Sequence, residues 1–207
     1  APERVAGLKL LPVPAPDGKL TPELIDIEAF GWGFEHRAQP LVVSITQTTE
    51  LGTLYTADEI RAIADHVHAK GMLLHMDGAR ISNAAAALNQ PLRAFTRDAG
   101  VDVLSFGGTK NGLMFGEAIV VLNPEAAAGL KYIRKFNMQL ASKMRFISVQ
   151  LVALLEGDLW LRSAQHANAM AHRLRTALER AVADGRAPRL AFTQPTQANA
   201  LFVTLPA

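Results

Sequence analysis

The sequence contains no cysteine, which removes disulfide scaffolds, thiolate nucleophiles and cysteine-ligated metal centres from consideration. It has no apolar run near the ~20 residues needed to span a bilayer, and its opening stretch, APERVAGLKLLPVPAPDGK, lacks the hydrophobic centre of a secretion signal. Charge of one sign is nowhere concentrated. Lys and Arg total 21 against 19 Asp and Glu, a net +2, so no basic stripe marks a nucleic-acid footprint. The nearest cluster, Lys131, Arg134 and Lys135, reads as a solvated helix face. These absences lead to the expectation of a soluble, cytoplasmic protein with neither nucleic-acid nor membrane partners. What is present is apolar: 49% of 207 residues, enough for one full-sized domain or a large domain with a small appendage.

Residues 1–20, with Pro12, Pro14, Pro16 and Gly18, read as an extended segment with turns. TPELIDIEAF opens a helix with Thr21 as N-cap and Pro22 at the first helical position, where a missing N–H costs nothing. LVVSITQT (41–48) is a β-branched strand, and TADEIRAIADHVHAKG carries a capping box from Thr56 to Glu59 and ends at Gly71. A strand at 72–76, an Ala-rich helix over 83–88, a short helix over 91–98, and strands in VDVLSF and EAIVVLN complete the order β-α-β-α-β-β. The strands read as continuous Val/Leu/Ile runs, the pattern of a mostly parallel α/β sheet with helices on both faces. Residues 124–183 read as almost wholly helical, including 142–155, with a break at Gly157-Asp158, and LAFTQPTQ and ALFVTLP read as two strands opening a small α+β unit. The expected organisation is a large domain over 1–140, followed over 141–207 by connecting helices and the start of that unit.

Polar groups recur where these strands end: Thr48-Thr49, Asp77, Thr109-Lys110. In open α/β sheets that edge binds ligands. Lys110 follows SFGGT, whose glycines let the backbone approach a bound group closely. A lysine at the mouth of a buried sheet would be partly desolvated, which favours the neutral, nucleophilic amine. On residue type alone it is more often a surface loop lysine than a catalytic one, and GGTK is not a phosphate-binding P-loop because GxxxxGK[ST] is absent. Asp77, at a strand end, must be paired or it will protonate. Three partners are open: a metal shared with His75, which points the same way along the strand; a structural salt bridge to Arg80; or a cationic ring nitrogen. Two ligands do not make a metal site, and no metal is expected.

HMDGARISNA followed by the lysine of DVLSFGGTKNG resembles the low-specificity L-threonine aldolase family, and SITQTTELGTLYTADEI and SKMRFISVQLVALL resemble its intervening and following segments. The resemblance spans nearly the whole chain. It implies a pyridoxal 5'-phosphate (PLP) enzyme of the aspartate-aminotransferase fold type, α/β with a mostly parallel sheet, that cleaves L-threonine, L-allo-threonine and related β-hydroxy-α-amino acids to glycine and an aldehyde. Residue by residue it implies that Lys110 forms the internal aldimine, that Asp77 pairs with the pyridine nitrogen, and that Arg80 approaches the substrate carboxylate and the cofactor's phenolic oxygen. His36 would contact the substrate β-hydroxyl, and Lys143 and Arg145 would reach towards the cofactor phosphate across a subunit interface of a homodimer or homotetramer.

Members of that family extend further at both ends, so the chain reads as a fragment whose sheet exposes apolar surface. Two other readings stand beside the aldolase: a β-eliminating lyase of the same fold, and a non-catalytic fragment whose long helices serve in assembly.

Overall fold

The structure, a computed structural model, describes residues 2–206. Four strands form one sheet in the order β1 (Val42–Thr46), β2 (Leu73–Gly78), β3 (Val103–Gly107), β4 (Glu117–Val121). The first three are parallel and β4 returns antiparallel, as EAIVVLN after a tight glycine-containing loop requires. Between β1 and β2 lies α3 (Ala57–His68), started by the expected capping box: Thr56 Oγ1 accepts from Glu59 N–H, and Glu59 accepts from Thr56 N–H at 2.7 Å. Between β2 and β3 lies α4 (Ile81–Leu88), then two 3-10 turns, Leu92–Phe95 and Arg97–Ala99, where a single helix over 91–98 was expected.

Because β1, β2 and β3 are neighbours in sequence order, right-handed crossovers put both connecting helices on the same face of the sheet. That face is dry. Val43, Ile45, Leu74, Met76, Leu104 and Phe106 meet Ile60, Ile63 and Val67 of α3 and Ile81 and Ala84 of α4 in one buried core. Each such side chain contributes roughly 1.5–3 kcal/mol on burial. The opposite face carries Ser44, Thr46, His75, Asp77, Ser105 and Glu117, and along β2 buried residues alternate with half-exposed ones. Val42, Leu73, Val103, Ile119 and Val121 share that face, so it is mixed, and a period of two in burial is hidden inside runs such as LLHMDG.

Two more corrections concern helices. Pro2–Ala6 form a short helix, α1, where extended chain was expected, and Glu3 accepts from the Leu10 N–H beyond it. Residues 137–144 are not helical, so the expected helix over 142–155 begins at Arg145. Elsewhere, Thr21 caps α2 (Pro22–Asp26) as expected, and α5 (Leu130–Phe136), α6 (Arg145–Leu155) and α7 (Leu159–Ala183) fill most of 124–183, with the break at Gly157-Asp158 in place. The division expected after residue 140 falls between α5 and α6. The last two strands, β5 (Ala191–Phe192) and β6 (Val203–Thr204), form a two-residue antiparallel pair. Helix α7 docks on α4 through a buried amide pair, Asn83 Nδ2 donating to Asn168 Oδ1 at 3.1 Å and Asn168 Nδ2 to the Asn83 carbonyl at 3.0 Å.

Edge strand β1 leaves Leu41 and Val42 exposed, as β4 leaves Ile119. Among the described residues no helix is long and apolar enough to cross a membrane.

The edge of the sheet away from the polar strand ends is held by Asp102. Its carboxylate accepts from Leu74 N–H (2.7 Å), His68 Nε2–H (2.8 Å) and Asn123 Nδ2 (2.7 Å). Burial would raise its pKa, yet these hydrogen bonds outweigh burial and hold it below the ordinary 3.8. A depressed carboxylate stabilises the fold above its unfolded pKa, and that contribution disappears as pH falls through the folded value. Asp102→Ala is expected to cost about 2–4 kcal/mol, because it leaves Leu74 N–H buried without an acceptor. Urea titration at pH 7 and pH 3 checks this: the deficit of the variant should shrink at the lower pH.

Candidate active site

The two motifs singled out in the sequence meet through their backbones. A Cβ added at Gly107 would stand 2.6 Å from the Ala79 Cα, so the chain of DGAR lies directly against the chain of FGGTK. Gly78 is packed as closely, its added Cβ falling 2.9 Å from the Ser105 carbonyl oxygen. Only glycine fits at either position. Register completes the picture, since Asp77 pairs with Ser105 and Gly107 with Glu117. Asp77 and Glu117 therefore face the same way from the polar side, with Lys110 in the turn (Thr109–Asn111) that follows β3.

Asp77 accepts one hydrogen bond among the described residues, at Oδ1 from Ala79 N–H (2.9 Å), which fixes its rotamer through an Asx turn. No described donor reaches Oδ2. The alternative of a salt bridge to Arg80 is not realised: Arg80 Nη1 donates to Glu50 Oε1 at 3.4 Å. Glu50 stands on a stiff loop after β1, closed by Gln47, whose side-chain amide pairs with both backbone groups of Tyr55 (2.8 and 3.0 Å), and by Thr49 and Thr53, whose hydroxyls are 2.6 Å apart. The metal alternative fares no better, because both ring nitrogens of His75 are engaged by serines.

Lys110 is exposed, which corrects the expectation of a desolvated amine. No helix among the described residues covers the polar face beside it, so water reaches the ammonium. The turn that carries it is nonetheless anchored, with Asn111 Nδ2 donating to the Trp160 carbonyl at 2.9 Å. Glu117 was not singled out in the sequence. Its carboxyl is pushed above the ordinary range by partial burial first and by the Asp77 charge second, while Lys110 pulls it back. All three groups thus lie within electrostatic reach of one another. The signal that could have found it is the alternation on the polar face, with a charged residue opposite the site glycine.

The structure does not bring His36 to this edge. Asp26 accepts from His66 and Lys70 at the end of α3 (2.7 and 3.0 Å), Lys70 lies over the Trp32 ring, and the Trp32 indole donates to the Pro40 carbonyl at 3.0 Å. These contacts tie residues 26–40 to the start of β2, whereas Asp77 stands near its end, roughly 13–15 Å away at ~3.3 Å per strand residue. His36 itself is exposed, edge-on to the Phe34 ring at 5.4 Å. Lys143 and Arg145 are exposed at the start of α6 and pair with none of the strand-end groups. Their helix does abut the loop after Lys110, where Gln150 Oε1 accepts from Met114 N–H at 3.0 Å.

A carboxylate with one oxygen unspent and a primary amine, on one edge of a parallel sheet, suit a flat cationic heterocycle bonded to the amine through an aldehyde. The family model for beta-eliminating lyases matches residues 1–206. The chain belongs to that family. Low specificity L-threonine aldolases of a Pseudomonas strain and of Pseudomonas aeruginosa are 46% and 45% identical to it over 199 residues, which cover 96% of this chain and 56% of each relative. The solved threonine aldolase of Leishmania major superimposes with a TM-score of 0.86 at 31% identity, over 97% of this chain and 56% of that one. The fold is therefore that of a threonine aldolase, a mixed sheet with mainly parallel strands, and the chain spans about half the length of these relatives.

Gly107→Ala places a methyl against backbone that cannot retreat, an overpacking cost of roughly 1–3 kcal/mol. Chemical denaturation should show that loss, whereas Gly71→Ala, with open space around it, should pay only for its positive φ. A Gly107→Ala protein as stable as the original would contradict the backbone apposition.

Proposed function

We propose that the chain carries the cofactor-binding edge of a PLP-dependent aldolase that cleaves L-threonine, L-allo-threonine and related β-hydroxy-α-amino acids to glycine and an aldehyde. The observation that carries this reading is the contact of Gly107 with Ala79, which holds Asp77 and Lys110 at one sheet edge. The likeness to L-threonine aldolases supports the substrate class. Bound there, PLP supplies an electron sink for the pair left at Cα when the Cα–Cβ bond breaks.

The residues of the chain divide the remaining work. Asp77 would present its unspent Oδ2 to the ring nitrogen, where a fixed carboxylate favours the protonated form. Lys110 offers the amine that bonds an aldehyde carbon. Arg80 presents a guanidinium suited to the substrate carboxylate, and that anion would take the place of Glu50, an exposed partner easily exchanged. Lys143 and Arg145, free of strand-end partners, are available to a phosphate held by a second copy. A homodimer or homotetramer is supported by the apolar surface of α5, α6 and the segment between them, where Phe136 and Met138 are 87% and 88% exposed and Phe146 and Val149 are also bare. A cytoplasmic location goes with this reading.

The family's own name favours a second reading, β-elimination to a keto acid and ammonia. One experiment separates the outcomes. With PLP added, the protein should show a visible absorption band that Lys110→Ala abolishes. With L-threonine it should release glycine and acetaldehyde in equal amounts. Appearance of 2-oxobutyrate and ammonia would favour elimination, and a stable oligomer that ignores PLP would favour an assembly role. Asp77→Asn should lower turnover by roughly 10²-fold or more, the scale of losing a preorganised electrostatic partner.

A further inference from the structure

The polar face of the sheet holds one feature that cofactor anchoring and substrate binding leave unused. Ser44 Oγ lies 2.8 Å from His75 Nδ1, and Ser105 Oγ lies 2.9 Å from Nε2. The imidazole therefore bridges β1, β2 and β3. Ser44 is the direct pairing partner of His75, and Ser105 is the partner of Asp77, one step nearer the strand ends. Neighbouring strands lie ~4.8 Å apart and same-face residues follow one another at ~6.6 Å along a strand, so the two contacts reach an adjacent and a diagonal neighbour. A neutral imidazole has one donor and one acceptor nitrogen, and a serine hydroxyl satisfies either.

We propose that His75 is a positioning residue, a crossbar between Ser44 and Ser105 that fixes the lateral spacing of β1, β2 and β3 and so sets where the Asp77 carboxylate stands relative to the Lys110 turn. The inference deepens the PLP reading of the site and rests on it.

Three observations support the crossbar. The core that stabilises the sheet lies on the opposite face, so stability alone gives no reason for a polar bridge here. Both ring nitrogens are spent, which leaves His75 no lone pair or N–H for substrate or metal without first breaking a bond to serine. Ser105 lies two residues before Gly107, whose backbone rests on Ala79, so the crossbar and the apposition of the motifs share β3. The charge state agrees: burial pulls the imidazole below the usual histidine range, against the opposing influence of Asp77. A neutral ring leaves the aspartate's charge uncompensated and available to a cationic ligand.

His75→Phe keeps a ring and removes both hydrogen bonds, while His75→Gln restores one polar end. Each is titrated with PLP by the visible band, and the melting temperature of the PLP-free protein is measured in parallel. The expected result is a roughly tenfold or greater loss of PLP affinity in His75→Phe, the scale seen when outer partners of a cofactor ligand are removed. The PLP-free melting temperature should change little, and His75→Gln should recover part of the affinity. Adding Ser44→Ala or Ser105→Ala to His75→Phe should cost nothing more, because the interaction is already gone.

Wild-type PLP affinity in His75→Phe, whether or not its melting temperature falls, overturns the proposal. If that variant does not fold, the single Ser44→Ala and Ser105→Ala proteins decide: unchanged PLP affinity in both is equally fatal. Failure of the unsubstituted protein to show a Lys110-dependent band is a different result, and it removes the reading of the site itself.

Discussion

The candidate site depends on two stretches of backbone approaching closer than any side chain would permit. Gly107 lies against Ala79, and Gly78 against the Ser105 carbonyl, so the turn after β2 and the turn after β3 are nested. Asp77 and Lys110 are distant in sequence, and neither is held by a contact with the other. Their proximity is a property of the chain path, set by glycines that carry no chemistry of their own. The side chains can then stay uncommitted, with Asp77 Oδ2 without a described donor and Lys110 in solvent. An aspartate and a lysine locked in a mutual salt bridge would be poorer receptors for a third, cationic group, because the lysine would already have neutralised the carboxylate.

The sheet separates stability from function by face. One side is a continuous apolar contact with α3 and α4, made possible because both crossovers fall on that side. The other is mixed, with hydroxyls, an imidazole and two carboxylates gathered towards the strand ends that carry Asp77 and Gly107. Asp102 fastens the far edge of this sheet through three donors, and the loop after β1 is closed by Gln47 and by the Thr49–Thr53 pair. An edge built this way tolerates exposed charge because the strands beneath it are pinned elsewhere.

Much of this was legible in the sequence. Thr56 and Glu59 announced the start of α3, Thr21 and Pro22 that of α2, and the alternation of strands and helices gave the parallel order. The glycines of SFGGT pointed to close backbone approach to a bound group, and the structure lays one of them, Gly107, against the Ala79 backbone. What the sequence hid was burial on a period of two. LLHMDG reads as an apolar run because leucine and methionine outnumber the polar residues, yet His75 and Asp77 share the wet face. Glu117 is hidden in the same way, as the first residue of an apolar strand. His36 is a different case, since a motif-based assignment carries no information about which end of a strand a preceding loop occupies. Contacts between Asp26, His66, Lys70 and Trp32 place that loop, and they are long-range.

Helix α7 reaches the lysine-bearing turn and the helix that follows the Asp77 turn. It is joined to α4, immediately after Arg80, by the Asn83–Asn168 pair, and to the lysine-bearing turn by the Asn111 bond to the Trp160 carbonyl. Two components bolted to the same beam move with it and not against one another. A tilt of that helix, driven by whatever the rest of an assembly does, would carry guanidinium and amine in common mode, so the gap between them is preserved while their pose against any second subunit changes.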